Sequence, residues 1–265
     1  MAGGAQRAGT LVGLADVDAR PRRVALGMFD GVHLGHREVM RGATCVLTFD
    51  PHPLSVVAPA HAPPLITTLQ RRAELIGTLG ITEVVVIPFD ARFAAYGPQE
   101  FVDEILVGAL HATHVSVGRN FRFGHRGAGD PALLAADPRF STRTVPLVAA
   151  GGATVSSTAI RSLLALGDVG GAATLLGAPF TIDAGPAAAE GRLVAPPGSS
   201  VPAPGRYACR VTASDGTVAA MKIDVEAQLD AAGRALLRAP AIDPRGQGPW
   251  RLEFLERTSA RAAAA

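Results

Sequence analysis

The sequence predicts an α/β protein, with a large domain on a parallel sheet and a small antiparallel β unit behind it. Apolar strand-like runs alternate with helical stretches from residue 24 to about residue 177. That alternation is the signature of βαβ units, whose right-handed crossovers put helices on both faces of the sheet. One run, EVVVIPF at 83–89, is continuously apolar, as expected of a parallel strand covered on both faces. Beyond residue 205 the pattern changes to period-two alternation, the spacing of antiparallel strands.

In chain order, VALGM (24–28) reads as a strand, LGHREVMRG (34–42) as a short helix and TCVLTF (44–49) as the next strand. A proline-rich loop occupies 50–65. The segment 68–80 then carries Leu69, Ala73, Ile76 and Leu79 on one helical face. PQEFVDEILVGAL (98–110) opens with Pro98 near a helix start and closes near Gly108. THVSVG (113–118) and TRTVPLV (142–148) are further strands, and 156–177 is helical. The stretch 187–205 is small, polar and rich in Pro and Gly, and reads as a linker or loop. After it, 206–213, 217–226 and 250–257 read as strands. Two domains are expected, 1–180 and 181–265.

Composition narrows the functional classes. Hydrophobic residues make up 48% of the 265 and charged residues 18%, a globular balance. A formal net charge of +2 is too small to imply a nucleic-acid or membrane-surface partner. Cys45 and Cys209 fit neither a metal spacing nor a disulfide framework, so both read as small buried hydrophobes. The opening residues 1–10 lack the apolar core of a signal peptide, and no apolar run approaches the ~18 residues of a membrane span. A soluble, cytoplasmic protein is expected, with no membrane and no nucleic-acid partner.

Ligands of parallel α/β sheets bind outside the carboxyl ends of the strands. GMFDGVHLGH (27–36) lies at such an end. Gly27, Gly31 and Gly35 let the backbone approach a ligand closely, and the N-terminus of the following helix favours an anion. His33 and His36 add donors for phosphate oxygens and for the charge that builds during phosphoryl-type transfer. The plain alternative is a turn with two surface histidines; a zinc pair is disfavoured because no cysteine or carboxylate companion is near. LTFDPHP (47–53) holds Asp50 and His52 in a proline-fixed turn. The loop 116–130 carries Asn120, Phe121, Arg122 and Phe123. Its Phe/Arg interleaving lacks the residue order of an RNA-stacking strand, and a core role for both phenylalanines competes. VSSTAIR (155–161) offers Ser156, Ser157 and Thr158 at a helix start, with Arg161 one turn in, a second anion cradle.

These motifs, together with LLGAPF (175–180) and in this order, resemble the adenylyltransferase module of bacterial bifunctional riboflavin kinase/FMN adenylyltransferase, or FAD synthetase, over residues 11–180. His33, Gly35 and His36 match the His-x-Gly-His signature of that nucleotidyltransferase class. The resemblance implies a Rossmann-like domain that transfers AMP from ATP to FMN, giving FAD and pyrophosphate, with Mg²⁺. It implies that His33 and His36 contact the ATP phosphates and the transition-state charge, and that Ser157, Thr158 and Arg161 hold the departing pyrophosphate. Gly27, Phe29, Asp30, Gly31 and Gly35 would line the ATP and phosphate turn. His52 and Asn120 match positions at the phosphate and metal end, and Phe121 to Phe123 would wall the flavin side. Mg²⁺ would be held mainly through ATP phosphates, with no protein ligand assigned. The helix after His36 is shorter than the family leads one to expect.

In that family a riboflavin kinase β-barrel follows, marked by Gly-Phe-Pro-Thr-Ala-Asn, whose Thr and Asn hold metal and phosphate. This chain has no such run; 180–200 stand in its place. IDVEAQLD (223–230) resembles the segment bearing the kinase's catalytic Glu, which makes Glu226 a relic of that base, or else an exposed strand charge. A degenerate barrel without kinase activity is expected. Two other readings compete: a nucleotidyltransferase with a different phosphate acceptor, and a non-catalytic flavin- or nucleotide-binding regulator.

Overall fold

A computed structural model describes residues 9–187, 191–239, 242 and 248–259. Most of the opening segment read for a signal peptide lies outside these residues. The chain forms two compact units, one of residues up to 63 with Leu69–Val148, the other of Pro64–Thr68 with Ala149 onward. Compactness therefore divides the chain earlier than the 180/181 boundary expected from its motifs.

The first unit is a six-stranded, wholly parallel sheet. Its strands are β1 (Thr10–Gly13), β2 (Arg22–Leu26), β3 (Cys45–Asp50), β4 (Glu83–Pro88), β5 (Ala112–Gly118) and β6 (Ser141–Val145), in the order β1-β4-β3-β2-β5-β6. The helices are α1 (Leu34–Met40), α2 (Pro53–Val57), α3 (Leu69–Gly77), α4 (Pro98–Glu100) and α5 (Pro131–Ala136). Side-chain alternation along the strands builds two cores. Val24 and Leu26 join Cys45, Leu47, Val85, Phe101 and Leu106 on one face. Ala25, Val46 and Val84 join Ala73 and Ile76 of α3 on the other. The helix expected over 98–110 does begin at Pro98, but Phe101–Ala109 is wound wider, with Leu110 N donating to Ile105 O at 2.9 Å.

Strand β1 has no counterpart among the sequence-based expectations. It is four mostly exposed residues paired only with β4, so it carries no apolar run to read. At the amino ends of the strands, Arg22 and Glu83 form a bidentate pair, both contacts 2.9 Å, and both side chains are nearly buried. Burial pushes the Cys45 and Cys209 thiols up to about 12, so both act as inert core residues, as the sequence suggested.

The second unit opens with a small hairpin, β7 (Ala149–Ala150) and β8 (Ala153–Thr154). The helical stretch 156–177 is two helices, α6 (Ser157–Leu166) and α7 (Val169–Leu176). Gly167, at φ +76°, ends the first, and Asp168 caps the second by accepting from Gly171 N at 2.7 Å. Six strands then close into an antiparallel barrel: β9 (Phe180–Pro186), β10 (Arg192–Val194), β11 (Gly205–Thr212), β12 (Val218–Leu229), β13 (Ala235–Arg238) and β14 (Trp250–Ser259). The expectation of a linker over 187–205 is corrected here, because Arg192–Val194 is a barrel strand bridging β13 and β9. Its three residues are too few to show alternation. No helix among the described residues is long and apolar enough to cross a membrane.

Candidate active site

Strand β2 lies mid-sheet, with β3 and β4 on one side and β5 and β6 on the other. The direction of strand addition reverses there, which opens a crevice at the carboxyl ends of β2 and β5. The turn 27–33 occupies that place. Phe29 (φ +54°), Gly31 (φ +87°) and Val32 (φ +44°) all lie at positive φ. For a β-branched residue such as Val32 this is a strained conformation, kept only where its surroundings over-determine it. Several bonds do so. Val32 N donates to Phe29 O (3.0 Å), Gly27 N to Leu47 O (3.2 Å), Thr48 Oγ1 to Met28 O (3.1 Å) and Arg37 Nε to Val32 O (3.1 Å). Gly27 lies in a tight place, since a Cβ there would stand 3.2 Å from the Phe29 ring.

His33 caps α1. Its Nδ1 accepts from His36 N at 3.1 Å, which in the neutral ring leaves Nε2 to carry the proton. The two imidazoles stack, centroids 3.5 Å apart at 13°, and the Phe29 ring meets His36 edge-on at 5.3 Å. His33 is buried and His36 half-buried. Phe29 is a core residue, so any contact it makes with a phosphate comes from its backbone. Asp30 is buried beside the turn. His52 caps α2 in the same manner, Nδ1 accepting from Leu54 N at 3.2 Å.

Sequence reasoning missed Arg72 of α3. Its side chain is fully buried, Nη1 donates to Thr48 Oγ1 at 3.4 Å, and Nε and Nη2 have no hydrogen-bond partner. Burial pulls this guanidinium down from its ordinary range, opposed by the Asp30 and Asp50 carboxylates. The signal was present: Arg72 falls three residues after Leu69 and four before Ile76, in the apolar stripe and not on the solvent face.

Asn120 and Phe121 follow β5, with Asn120 exposed and Phe121 stacked on Phe123 at 5.8 Å. Phe123 is buried in the core, as the competing reading allowed. Both rings nevertheless wall a cavity of about 490 Å³ with Phe49, Phe89, Phe93 and Phe101. That volume lies within the range of small-molecule sites, roughly 300–1,000 Å³. Met28 of the histidine turn packs against the apolar core that includes Phe49, Phe101 and Phe123. In the second unit, the Ser156 hydroxyl caps α6 by accepting from Ala159 N at 3.1 Å, and Ser157, Thr158 and Arg161 follow on its first turns. Among the described residues no group of three His, Cys, Asp or Glu side chains could hold a metal ion. A hard cation such as Mg²⁺ takes oxygen ligands, which substrate phosphates can supply.

A reversed-order parallel sheet, a strained His-x-Gly-His turn at its switch point and a closed antiparallel barrel define a Rossmann-like nucleotidyltransferase architecture. The FAD synthetase family model matches residues 16–159, over half of the chain, and the chain belongs to that family. A bifunctional riboflavin kinase/FMN adenylyltransferase from Listeria monocytogenes is 40% identical over 171 residues, covering 60% of this chain and 54% of that protein. The Escherichia coli K12 protein of the same name is 35% identical over 172 residues, covering 60% and 55%. The alignment thus spans about half the length of these curated relatives. A crystal structure titled as a macrolide-efflux protein from Streptococcus pneumoniae superposes with a TM-score of 0.81, covering 96% of this chain and 92% of that one. At 21% identity the likeness is one of fold, and its title carries nothing about activity to this chain.

Proposed function

We propose that the protein is an FMN adenylyltransferase, transferring AMP from ATP to FMN. The observation that carries this reading is the stacked His33–His36 pair on a strained turn, in the same unit as a cavity walled by six phenylalanines. Imidazole donors and the α1 N-terminus suit a triphosphate, and an apolar aromatic cavity suits a flat tricyclic flavin. An FMN phosphate oxygen attacks the α-phosphorus of ATP. The new P–O bond forms as the bond to the β-phosphate oxygen breaks, and pyrophosphate leaves. The attacking phosphate is already an anion, so positioning and charge neutralisation suffice and no general base is needed.

His33 and His36 act on the phosphates, Nε2–H of His33 being a donor in its capped tautomer. Backbone groups of Gly27, Phe29, Gly31 and Gly35 shape the turn, and Asp30 supports it from beneath. His52 and Asn120 serve the phosphate end, and Phe121 and Phe123 the flavin ring. Ser157, Thr158 and Arg161 take the departing pyrophosphate. Mg²⁺ would be held mainly by the ATP phosphates and would supply neutralisation of their charge. ATP labelled at the α-phosphorus should give labelled FAD and unlabelled pyrophosphate. Label in any other flavin product, or in none, overturns the reading.

We propose further that the barrel has no riboflavin kinase activity. Glu226, which stands where the resemblance puts the kinase base, is nearly buried and paired with Arg192 at 3.3 Å. The Thr-Asn pair of the kinase motif is absent from 180–200, so the residues that would hold metal and phosphate beside Glu226 are missing.

A further inference from the structure

The segment Pro64–Thr68 belongs by contact to the second unit, although the chain on both sides of it belongs to the first. A barrel loop captures it. In the run Pro196-Pro197-Gly198-Ser199, Ser199 N donates to Pro196 O at 3.2 Å, and Gly198 lies at φ +68°. Proline followed by a positive-φ glycine at the two central positions is the pattern of a type II turn. Leu65 docks on that turn like a short strand, its N donating to Gly198 O at 2.7 Å while Ser200 N donates to Leu65 O at 2.7 Å.

Two side chains then converge on one carbonyl. The Ser200 hydroxyl, 5% exposed, donates to Pro64 O at 3.0 Å, and Arg161 Nε donates to the same oxygen at 2.7 Å. A guanidinium is planar, so a bond from Nε to a fixed acceptor sets the plane in which its terminal nitrogens lie. The acceptor is fixed because the neighbouring backbone pairs with the barrel loop and because Ser200 holds it from a second side.

We infer that Ser200 and the turn 196–199 are a positioning device for Arg161, the residue proposed above to take the departing pyrophosphate. The inference rests on the reading of Arg161 given above. Ser200 is a positioning residue and touches no substrate.

The test uses the full chain as wild type, Ser200→Ala, Ser200→Thr, Arg161→Ala and the Ser200→Ala/Arg161→Ala double variant, each with its melting temperature. Ser200→Ala should lower kcat/KM for ATP about tenfold, the worth of one hydrogen bond to a charged partner's anchor. KM for FMN and the melting temperature should stay at wild-type values, and Ser200→Thr should restore the rate. In the Arg161→Ala background, Ser200→Ala should cost nothing further, because the two residues act as one unit. Wild-type kinetics in Ser200→Ala, an undiminished cost in the double variant, or a loss that tracks melting temperature or FMN affinity would each overturn the inference. Wild type without FAD synthesis would instead sink the functional reading itself, and full activity in Arg161→Ala would sink the role given to that arginine.

Discussion

His33 and His36 were legible as a pair from their spacing at a strand-to-helix junction, but their division of labour was not. The structure gives His33 the helix cap and stacks His36 on it. A substitution at His36 therefore removes a ring without removing the cap. His36→Ala should cut turnover by about 10²–10⁴-fold, the usual worth of such a donor, with far-UV circular dichroism unchanged. Unchanged turnover would remove His36 from the chemistry. Arg72 is the residue-scale surprise, because an arginine within an amphipathic helix is easily assigned to solvent. Replacing it with methionine deprives Asp30 and Asp50 of a buried cation. It also relieves two nitrogens, Nε and Nη2, that have no hydrogen-bond partner. The opposed effects should leave a loss of about 1–3 kcal/mol in urea unfolding, less than the ~3–5 kcal/mol of a fully bonded buried pair.

At the scale of elements, β3 and β4 were readable because each is an apolar run covered on both faces, and β2 and β5 because each carries a shorter run of buried apolar residues. The short ones, β1 and β10, were not, since four and three residues carry no periodicity. Their places are fixed by backbone pairing with longer neighbours. The Arg22–Glu83 pair, invisible at a separation of 61 residues, joins the starts of β2 and β4 across β3. Hydrogen bonding to Arg22 holds the Glu83 carboxyl below its ordinary range, outweighing the effect of burial. Glu83 thus binds its proton less readily in the fold than in the unfolded chain. Its contribution is complete above the ordinary carboxylate range and is lost as pH falls through the depressed folded value. Glu83→Gln should be less stable than wild type near neutrality, with the two stabilities drawing together as the solution is acidified. A gap that stays constant down to low pH would contradict this.

For the whole molecule, the α/β-then-β order was plain from the change of hydrophobic period, and the site motifs were plain from their places after strands. The closure of the barrel was not, because only β11, β12 and β14 of its six strands show as period-two runs; β10 and β13 are too short, and β9 runs into Pro/Gly-rich sequence. The closed barrel follows the parallel sheet in the chain, and the Thr-Asn pair that the resemblance leads one to expect is absent from 180–200. The most direct measurement is a paired assay on the purified full chain: one reaction with FMN, ATP and Mg²⁺, the other with riboflavin, ATP and Mg²⁺, the flavins resolved by chromatography. FAD in the first and no FMN in the second is the expected result. No FAD in the first would contradict the account at its centre, and FMN in the second would show that the barrel still phosphorylates.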